Sequence, residues 1–349
     1  MARLRRVDCG ERGIRRRRRG RGFSYLDADD KPVTDRDAVE RIRALAIPPA
    51  WEEVWICQHP NGHIQATGID AAGRKQYRYH DLWRTRRDAE KFESMVSFAE
   101  ALPDLRARVA RDLGREGMPR ERSLACAVRL LDRGSFRIGS EGYAEDNGTY
   151  GLATMRKEHV DVDGEVVAFD YEAKGGARRR QRVIDADAAM AVKVLLRRRG
   201  GGDELLAYRE GRKWRDVRSP DVNAYLRETS GGEFSAKDFR TWNATVLASI
   251  ALAVSTPVAG SSQAARKRAM KRAVDEVARH LGNTPAVCRA SYIDPRVFDR
   301  FDGGMTIGGV LPELAADAEG WPAVQRTVEE AVLDLIAGDE SSRAVEQAA

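Results

Sequence analysis

The stretch "ATVLASIALAV", from Ala244 to Val254, is apolar on nearly every side. A helix at a protein surface carries an apolar stripe and a polar face; one without a polar face has to be enclosed by other elements. The run includes Ser249 and falls well short of the ~20 apolar residues that a bilayer-spanning helix requires. A buried central helix in a globular, multi-helix body is therefore expected, with no membrane span. The 349 residues are enough for two or three domains with real cores.

The segments around this run fit a helical body. "RSLACAVRLLD" places Leu124, Ala127, Val128 and Leu131 on one face. "QAARKRAMKRAVDEVARHLG" carries Met270, Val274, Val277 and Leu281 on one stripe, with a dense basic face opposite. Between these helices, residues 158–183 read as three short strands, with turns at Asp163-Gly164 and Gly175-Gly176. The N-terminal part is patterned differently. "FSYLDADDKPV" reads as a strand and a turn, and "TDRDAVERIRALAIPP" as a short helix capped by Thr34, with Val39, Ile42 and Leu45 on one face. Strands around an Asn61-Gly62 turn follow in "VWICQHPNGHIQATGIDAAGRKQYRYH". The fold class expected is α+β. Residues 22–88 would form a small β-rich N-terminal domain. Residues 89–337 would form a mainly α-helical domain with a three-stranded β insert, and 338–349 a frayed polar tail.

Residues 1–22 hold ten Arg against Asp8 and Glu11, a surplus of eight; the chain's net +6 leaves the remainder at about −2. The basic balance belongs to this segment, and "IRRRRRGRG" shows no apolar period. Residues 1–21 are expected to be a flexible basic arm, either merely solvated or phosphate-seeking. The four cysteines, Cys9, Cys57, Cys126 and Cys288, have no pairing pattern and read as free thiols of a reducing compartment. No apolar segment of the secretory kind follows the N-terminus. Cys57, His59 and His63 fall one ligand short of a zinc set, and alternation around a tight turn explains them without metal.

"NTPAVCRASYIDP", residues 283–295, reads as a short helix. Thr284 is its N-cap and Pro285 its first residue; Pro295 ends it, leaving Tyr292 on the last turn. Taken alone, Tyr292 is a core aromatic. Side chains tilt toward a helix N-terminus, so its hydroxyl would lean back toward Asn283, nine residues earlier and roughly 13 Å along a fully helical rise. "KDFRTW" puts Lys237 and Arg240 one turn apart, immediately before the buried helix. Lys174 precedes Gly175-Gly176 at a hairpin tip, where a side chain can reach outward.

These segments together resemble the type IB DNA topoisomerases of the bacterial and poxvirus kind. "GRKQYRYH" (73–80), "FRIGSEGYAEDNGTYGLATM" (136–155), "KDFRTW" (237–242) and "NTPAVCRASYIDP" are similar to that family's signature segments, in its order, from about Gly22 to about Arg300. The resemblance implies that Tyr292 is the nucleophile, that Arg137 and Arg240 bind the phosphate, and that Lys174 is the general acid. Asn283 stands where poxvirus members carry His; bacterial members often have Asn there. Asn can donate an uncharged hydrogen bond to a non-bridging oxygen.

The chemistry suits those residue types. A phenolic oxygen attacks a phosphodiester, two guanidiniums neutralise the gathering charge, and the poor 5′ alkoxide leaving group takes a proton. The product is a 3′-phosphotyrosyl link, so resealing needs no ATP, and no acidic cluster reads as a two-metal site. The family's DNA contacts map onto Gln76, Tyr77, Tyr79 and Tyr143, and Lys237 joins them. Tyr77 and Tyr79, on one face of a strand, could equally be core. Ser140 and Gly142 stand where poxvirus members carry Lys, so their strong sequence preference is not expected here.

The reading is a topoisomerase that closes as a clamp around double-stranded DNA and relaxes supercoils of both signs. It would act as a cytoplasmic, nucleoid-associated monomer, without cofactor, metal or membrane. Two alternatives stay open: a tyrosine recombinase, and a catalytically weak DNA-binding relative. Recombinases usually show His-x-x-Arg where this chain has Lys237-x-x-Arg240, and carry a helical N-terminal domain.

Overall fold

The computed structural model describes residues 3–259, 262–316 and 321–347. The chain divides into two compact units, Met1–Phe92 and Glu93–Ala349.

The first unit is an antiparallel sheet with strand order β2-β1-β3-β4-β5. Its strands are β1 (Ile14–Arg19), β2 (Gly22–Leu26), β3 (Glu52–Ile56), β4 (Ile64–Ile69) and β5 (Lys75–Tyr79). Helix α1 (Arg36–Ala44) contributes Ile42 to a core of Ile14, Val54, Ile56 and Ala66. The cap of α1 is Asp35 rather than Thr34; its Oδ1 accepts the Asp37 and Ala38 N–H groups at 2.8 and 3.1 Å.

The arginine run is not a flexible arm. It is strand β1, paired with β2 on one side and β3 on the other. Ile14 is buried in the core. Arg16 turns inward, donating to the carbonyls of Ile47, Pro48 and Trp51 and lying 4.1 Å over the Phe23 ring. Arg17, Arg18 and Arg19 stay exposed. Alternation and a two-sided ladder outweigh the like-charge repulsion because water and salt screen the exposed guanidiniums. Arg19 pairs with Gly22, leaving Gly20 (φ 55°) and Arg21 as the turn.

Helix α2 (Asp81–Leu113) leads into the second unit and accommodates Pro103 within its length. Helix α3 (Arg120–Gly134) is buried along Leu124, Ala127, Val128 and Leu131. After the short α4 (Glu141–Asn147) come β6 (Val160–Asp163), β7 (Val166–Ala173) and β8 (Ala177–Ile184), a three-stranded antiparallel sheet in that order. Helix α5 (Ala186–Arg197), the hairpin of β9 (Ala207–Glu210) and β10 (Lys213–Asp216), and α6 (Ser219–Ser230) follow. Helix α7 (Ala236–Ala259) is the buried central helix: Phe239, Trp242, Ala244, Ala248 and Leu252 are all enclosed. It packs against α8 (Gln263–Leu281), which is followed by α9 (Pro285–Ser291), α10 (Pro295–Asp302), α11 (Leu311–Ala316) and α12 (Trp321–Ala337).

The polar C-terminal segment is not simply frayed. Within it, β12 (Glu346–Gln347) pairs with β11 (Met305–Thr306). Backbone pairing is indifferent to side-chain polarity, and Gly309 lets the chain pass: a Cβ there would stand 2.3 Å from the Arg343 carbonyl oxygen.

Candidate active site

Four of the five proposed catalytic side chains come from segments that meet near the C-terminal end of α8. Helix α8 ends at Gly282, which adopts a left-handed cap (φ 63°). Asn283 follows, its N–H donating back to the Ala278 carbonyl at 2.9 Å. Thr284 caps α9, so Asn283 lies in the link between two helices rather than on the helix of Tyr292.

Arg137 lies on the extended segment after α3. That segment is held by Leu152 N–H donating to the Arg137 carbonyl at 2.8 Å and Ala153 N–H to that of Ile138 at 2.7 Å. The two strands of chain cross at Gly139 and Gly151, so closely that a Cβ on Gly151 would stand 2.5 Å from Gly139 Cα. Arg137 donates to the Gly282 carbonyl at 2.9 Å and to Asn283 Oδ1.

Arg240, on α7, is almost wholly buried and donates to the carbonyls of Ser135 and Leu281. Its guanidinium carbon lies 5.2 Å from the centroid of the Tyr292 ring. Burial pulls its pKa below the usual value; Tyr292 works against that, while Arg137 and Arg179 reinforce it. Among the described residues, Arg240 Nε and Asn283 Nδ2 are buried nitrogens without a hydrogen-bond partner. An unpartnered nitrogen on the guanidinium beside the Tyr292 ring, and another on the amide that Arg137 grips, suit an anion that is not itself part of the protein.

Tyr292 is held by its backbone. It is the C-cap of α9, and its N–H donates to the Cys288 carbonyl at 2.9 Å. Thr245 Oγ1 on α7 accepts the Asp294 N–H at 3.1 Å and lies 3.4 Å from the Tyr292 carbonyl. Asp294 is fully buried, grips the Arg296 guanidinium, and caps α10 through the Arg296 N–H. Tyr292 therefore sits in a fixed joint between two helices, both pinned to the central one.

Lys174 begins the turn between β7 and β8, where Gly175 (φ 88°) and Gly176 (φ 73°) make the reversal. It is exposed, as is Lys237 near the start of α7. Sequence reasoning missed two groups. Arg179 on β8 donates to the carbonyls of Arg279 and His280 at 3.0 and 2.5 Å. Tyr171 on β7 donates to Gln181 Oε1 at 2.8 Å; burial raises its pKa, against the pull of Arg179, Arg240 and Arg137. Alternation in "RRRQR" carried the signal: Arg178 and Arg180 pair outside with Asp170, while Arg179 and Gln181 face inward. His280 is held below the usual histidine value by partial burial and by Arg179 and Arg240.

On the first unit, β5 is an edge strand. Tyr77 and Tyr79 are exposed and stacked, 5.9 Å between centroids, so they are not core. Gln76 faces the other way, donating to Asp70 Oδ2 at 2.9 Å. A concavity of about 560 Å³ beside the tyrosines is lined by Arg41, Arg78 and Arg84 among others. The Tyr143 side chain lies outside the described residues. Of the residues considered for zinc, His63 Nδ1 accepts the Val7 N–H and the His63 ring packs edge-on to Trp83, while Cys57 Sγ accepts the His59 N–H.

The family model for the catalytic core of eukaryotic DNA topoisomerase I matches residues 80–302, and that for the N-terminal domain of bacterial DNA topoisomerase IB matches residues 22–70. DNA topoisomerase 1B of Acanthamoeba polyphaga mimivirus is 33% identical over 288 residues, covering 80% of this chain and 85% of that protein. The chain belongs to the type IB DNA topoisomerases. More distant members include DNA topoisomerase 1 of Mycosarcoma maydis, 24% identical over 57% of this chain and 22% of that protein. DNA topoisomerase 1B of vaccinia virus is 21% identical over 41% of this chain and 47% of the viral one. The protein is thus a DNA topoisomerase I, an isomerase whose substrate is DNA. The core match spans Arg137, Lys174, Arg240, Asn283 and Tyr292. Gln76, Tyr77 and Tyr79 fall between the two matched regions, and strand β1 lies before both. Among the described residues, no helix is long and apolar enough to cross a membrane.

Proposed function

We propose that Tyr292 attacks a phosphodiester of duplex DNA, with Arg137, Arg240 and Asn283 on the phosphate and Lys174 as general acid. The Tyr292 oxygen bonds to phosphorus as the P–O5′ bond breaks. The phenol proton leaves to water, and the Lys174 ammonium supplies one to the departing 5′ oxygen. One strand stays attached as a 3′-phosphotyrosyl ester while the other end swivels. Reversal reseals the strand without ATP or metal. The observation that supports this best is the buried Arg240 guanidinium, 5.2 Å from the Tyr292 ring and with its Nε unpartnered, while Arg137 grips Asn283, whose Nδ2 is also unpartnered. Each donor aimed at the phosphorane-like centre is worth on the order of 3 kcal/mol of barrier.

The two units would serve as the two halves of a clamp that closes on the duplex. Tyr77 and Tyr79 would pack on the DNA, with Gln76 turning from Asp70 to read a base edge. Tyr143 and Lys237 would add contacts. A monomer suffices for this chemistry, and a cytoplasmic, nucleoid-associated bacterial protein fits such a substrate. The test is relaxation of supercoiled plasmid in chelator without ATP. Wild type should give closed, relaxed circles and, on denaturing gels, protein bound to DNA 3′ ends. Tyr292→Phe should lose both while keeping duplex affinity; an adduct persisting in that variant would assign the nucleophile elsewhere.

A further inference from the structure

We infer that Arg179 is a positioning residue for Lys174, latching the β7–β8 hairpin to the C-terminal end of α8. This rests on the reading of Lys174 as the general acid and adds how its ammonium is brought to the leaving oxygen.

The hairpin is in register from Val166↔Ile184 to Ala173↔Ala177, with Lys174, Gly175 and Gly176 as its turn. Its inner face carries two polar ties to the rest of the unit. Gln181 donates to the Gly134 carbonyl, at the end of α3, at 2.7 Å. Arg179 donates through two nitrogens to the Arg279 and His280 carbonyls of α8. Tyr171 stands directly across from Arg179 and joins the two ties by donating to Gln181.

Two pairs, Glu172↔Arg178 and Ala173↔Ala177, separate Arg179 from the turn. On β7 the Glu172 carbonyl accepts the Tyr150 N–H at 2.7 Å, and on β8 it is Arg179 that ties the hairpin to α8. Without Arg179, the β8 arm is left with Gln181, two positions and roughly 7 Å further back along the strand. A tip held that far behind its end swings through a larger arc, and a misplacement of about 1 Å can cost on the order of 10²-fold in rate.

The anchoring point is also the centre of the site. The last carbonyls of a helix lack intrahelical donors and carry the negative end of its dipole, so a guanidinium fork is well matched there. The next two carbonyls, of Leu281 and Gly282, take Arg240 and Arg137. One helix end thus fixes the hairpin and both phosphate-facing arginines in a common frame. Gly282 makes room for it: a Cβ there would stand 2.7 Å from Arg179 Nη1.

The test is single-turnover cleavage at saturating enzyme on two duplexes, one normal and one with sulfur replacing the 5′ bridging oxygen at the scissile bond. A thiolate leaves without being protonated, so only the normal duplex reads out the general acid. Arg179→Ala should slow the normal duplex roughly 10- to 10²-fold and the sulfur duplex less than about fivefold. Combined with Lys174→Ala, it should add little to the loss from Lys174→Ala alone. Arg179→Lys, which keeps the charge and loses the fork, should show the same selectivity at smaller size and serves if the alanine variant does not fold. Equal slowing of both duplexes, no slowing, or full additivity with Lys174→Ala would each overturn the latch. If Lys174→Ala itself slows both duplexes alike, the general-acid reading fails instead.

Discussion

Arg240 donates to a carbonyl that Ser135 presents only because its backbone is left-handed, at φ 52° and ψ 33°. Ser135 ends α3 and is buried, and its hydroxyl accepts Asn243 Nδ2 at 3.1 Å. A non-glycine residue in this conformation costs about 1–2 kcal/mol, more for a β-branched side chain. Ser135→Gly should therefore leave stability within about 1 kcal/mol, as relieved backbone strain offsets the lost hydrogen bond. Its cleavage rate should stay within a few fold of wild type. Ser135→Val should destabilise the protein and slow cleavage on the order of tenfold by turning the carbonyl from Arg240. Denaturant unfolding and single-turnover cleavage measure the two; a valine variant that cleaves at the wild-type rate would mean that Arg240 does not need this carbonyl.

Asn283 spends its oxygen on Arg137 and keeps Nδ2 unpartnered. In the proposed mechanism the amide nitrogen would then be the group offered to the phosphate. Asn283→Ala should slow cleavage by up to on the order of 10²-fold, the typical cost of losing one such donor. Asn283→Asp should be worse, because the carboxylate binds Arg137 more tightly, removes the donor and repels the phosphate. Asn283→His should be tolerated, since imidazole can also donate. An aspartate variant as fast as the alanine one would show that the residue does not approach the phosphate.

What the sequence made legible, and what it hid, follows from where each signal resides. The central helix and the stripe of α8 are periodic, so they could be read directly. Arg240 and Tyr292 sit in segments whose order carries the family likeness. Arg179 was hidden because it lies in a run of charges, and such runs are usually solvated faces; only the strand's alternation turns it inward. Ser135 was hidden because a left-handed dihedral in a serine is imposed by tertiary contacts. Strand β1 was misread for a related reason. Its inward positions are Ile14 and Arg16, and the arginine does a core residue's work by binding three carbonyls.

Arg106 holds the base of the catalytic unit together. It donates to Asp132 at 2.8 Å and to Glu329 at 2.6 Å, joining α2, α3 and α12. Both carboxylates are nearly buried, and the Asp132 carbonyl accepts Asn243 Nδ2 at 2.9 Å, next to Ser135. Arg106→Met would leave two buried anions facing each other and should cost about 3–5 kcal/mol. Replacing all three, as Arg106→Met with Asp132→Leu and Glu329→Leu, should recover most of that, since a buried charge network is often no more stable than apolar packing. Urea unfolding of the single and triple variants decides this. If the single variant loses less than about 1 kcal/mol, the triad is not a structural tie.

The exposed arginines of the β1–β2 hairpin should set part of the salt dependence of DNA binding. Arg17, Arg18, Arg19 and Arg21 surround a two-residue turn and point to solvent, whereas Arg16 is spent on the fold and Arg15 pairs with Asp30. Truncating residues 1–21 would remove β1 from between β2 and β3 and so destroy the sheet; point substitution is the informative change. Arg17→Thr, Arg18→Thr, Arg19→Thr and Arg21→Asn together keep strand propensity and turn chemistry. Each phosphate neutralised contributes about 0.9 to the slope of log affinity against log salt, so four engaged arginines would lower it by roughly 4. Single-turnover cleavage at saturating enzyme should stay within about twofold, since the hairpin carries none of the groups assigned to the chemistry. Salt titrations of the wild type and the variant measure the difference. An unchanged slope would mean that the hairpin arginines face only water when DNA is bound, and a variant that unfolds would give them a structural part that their exposure does not suggest.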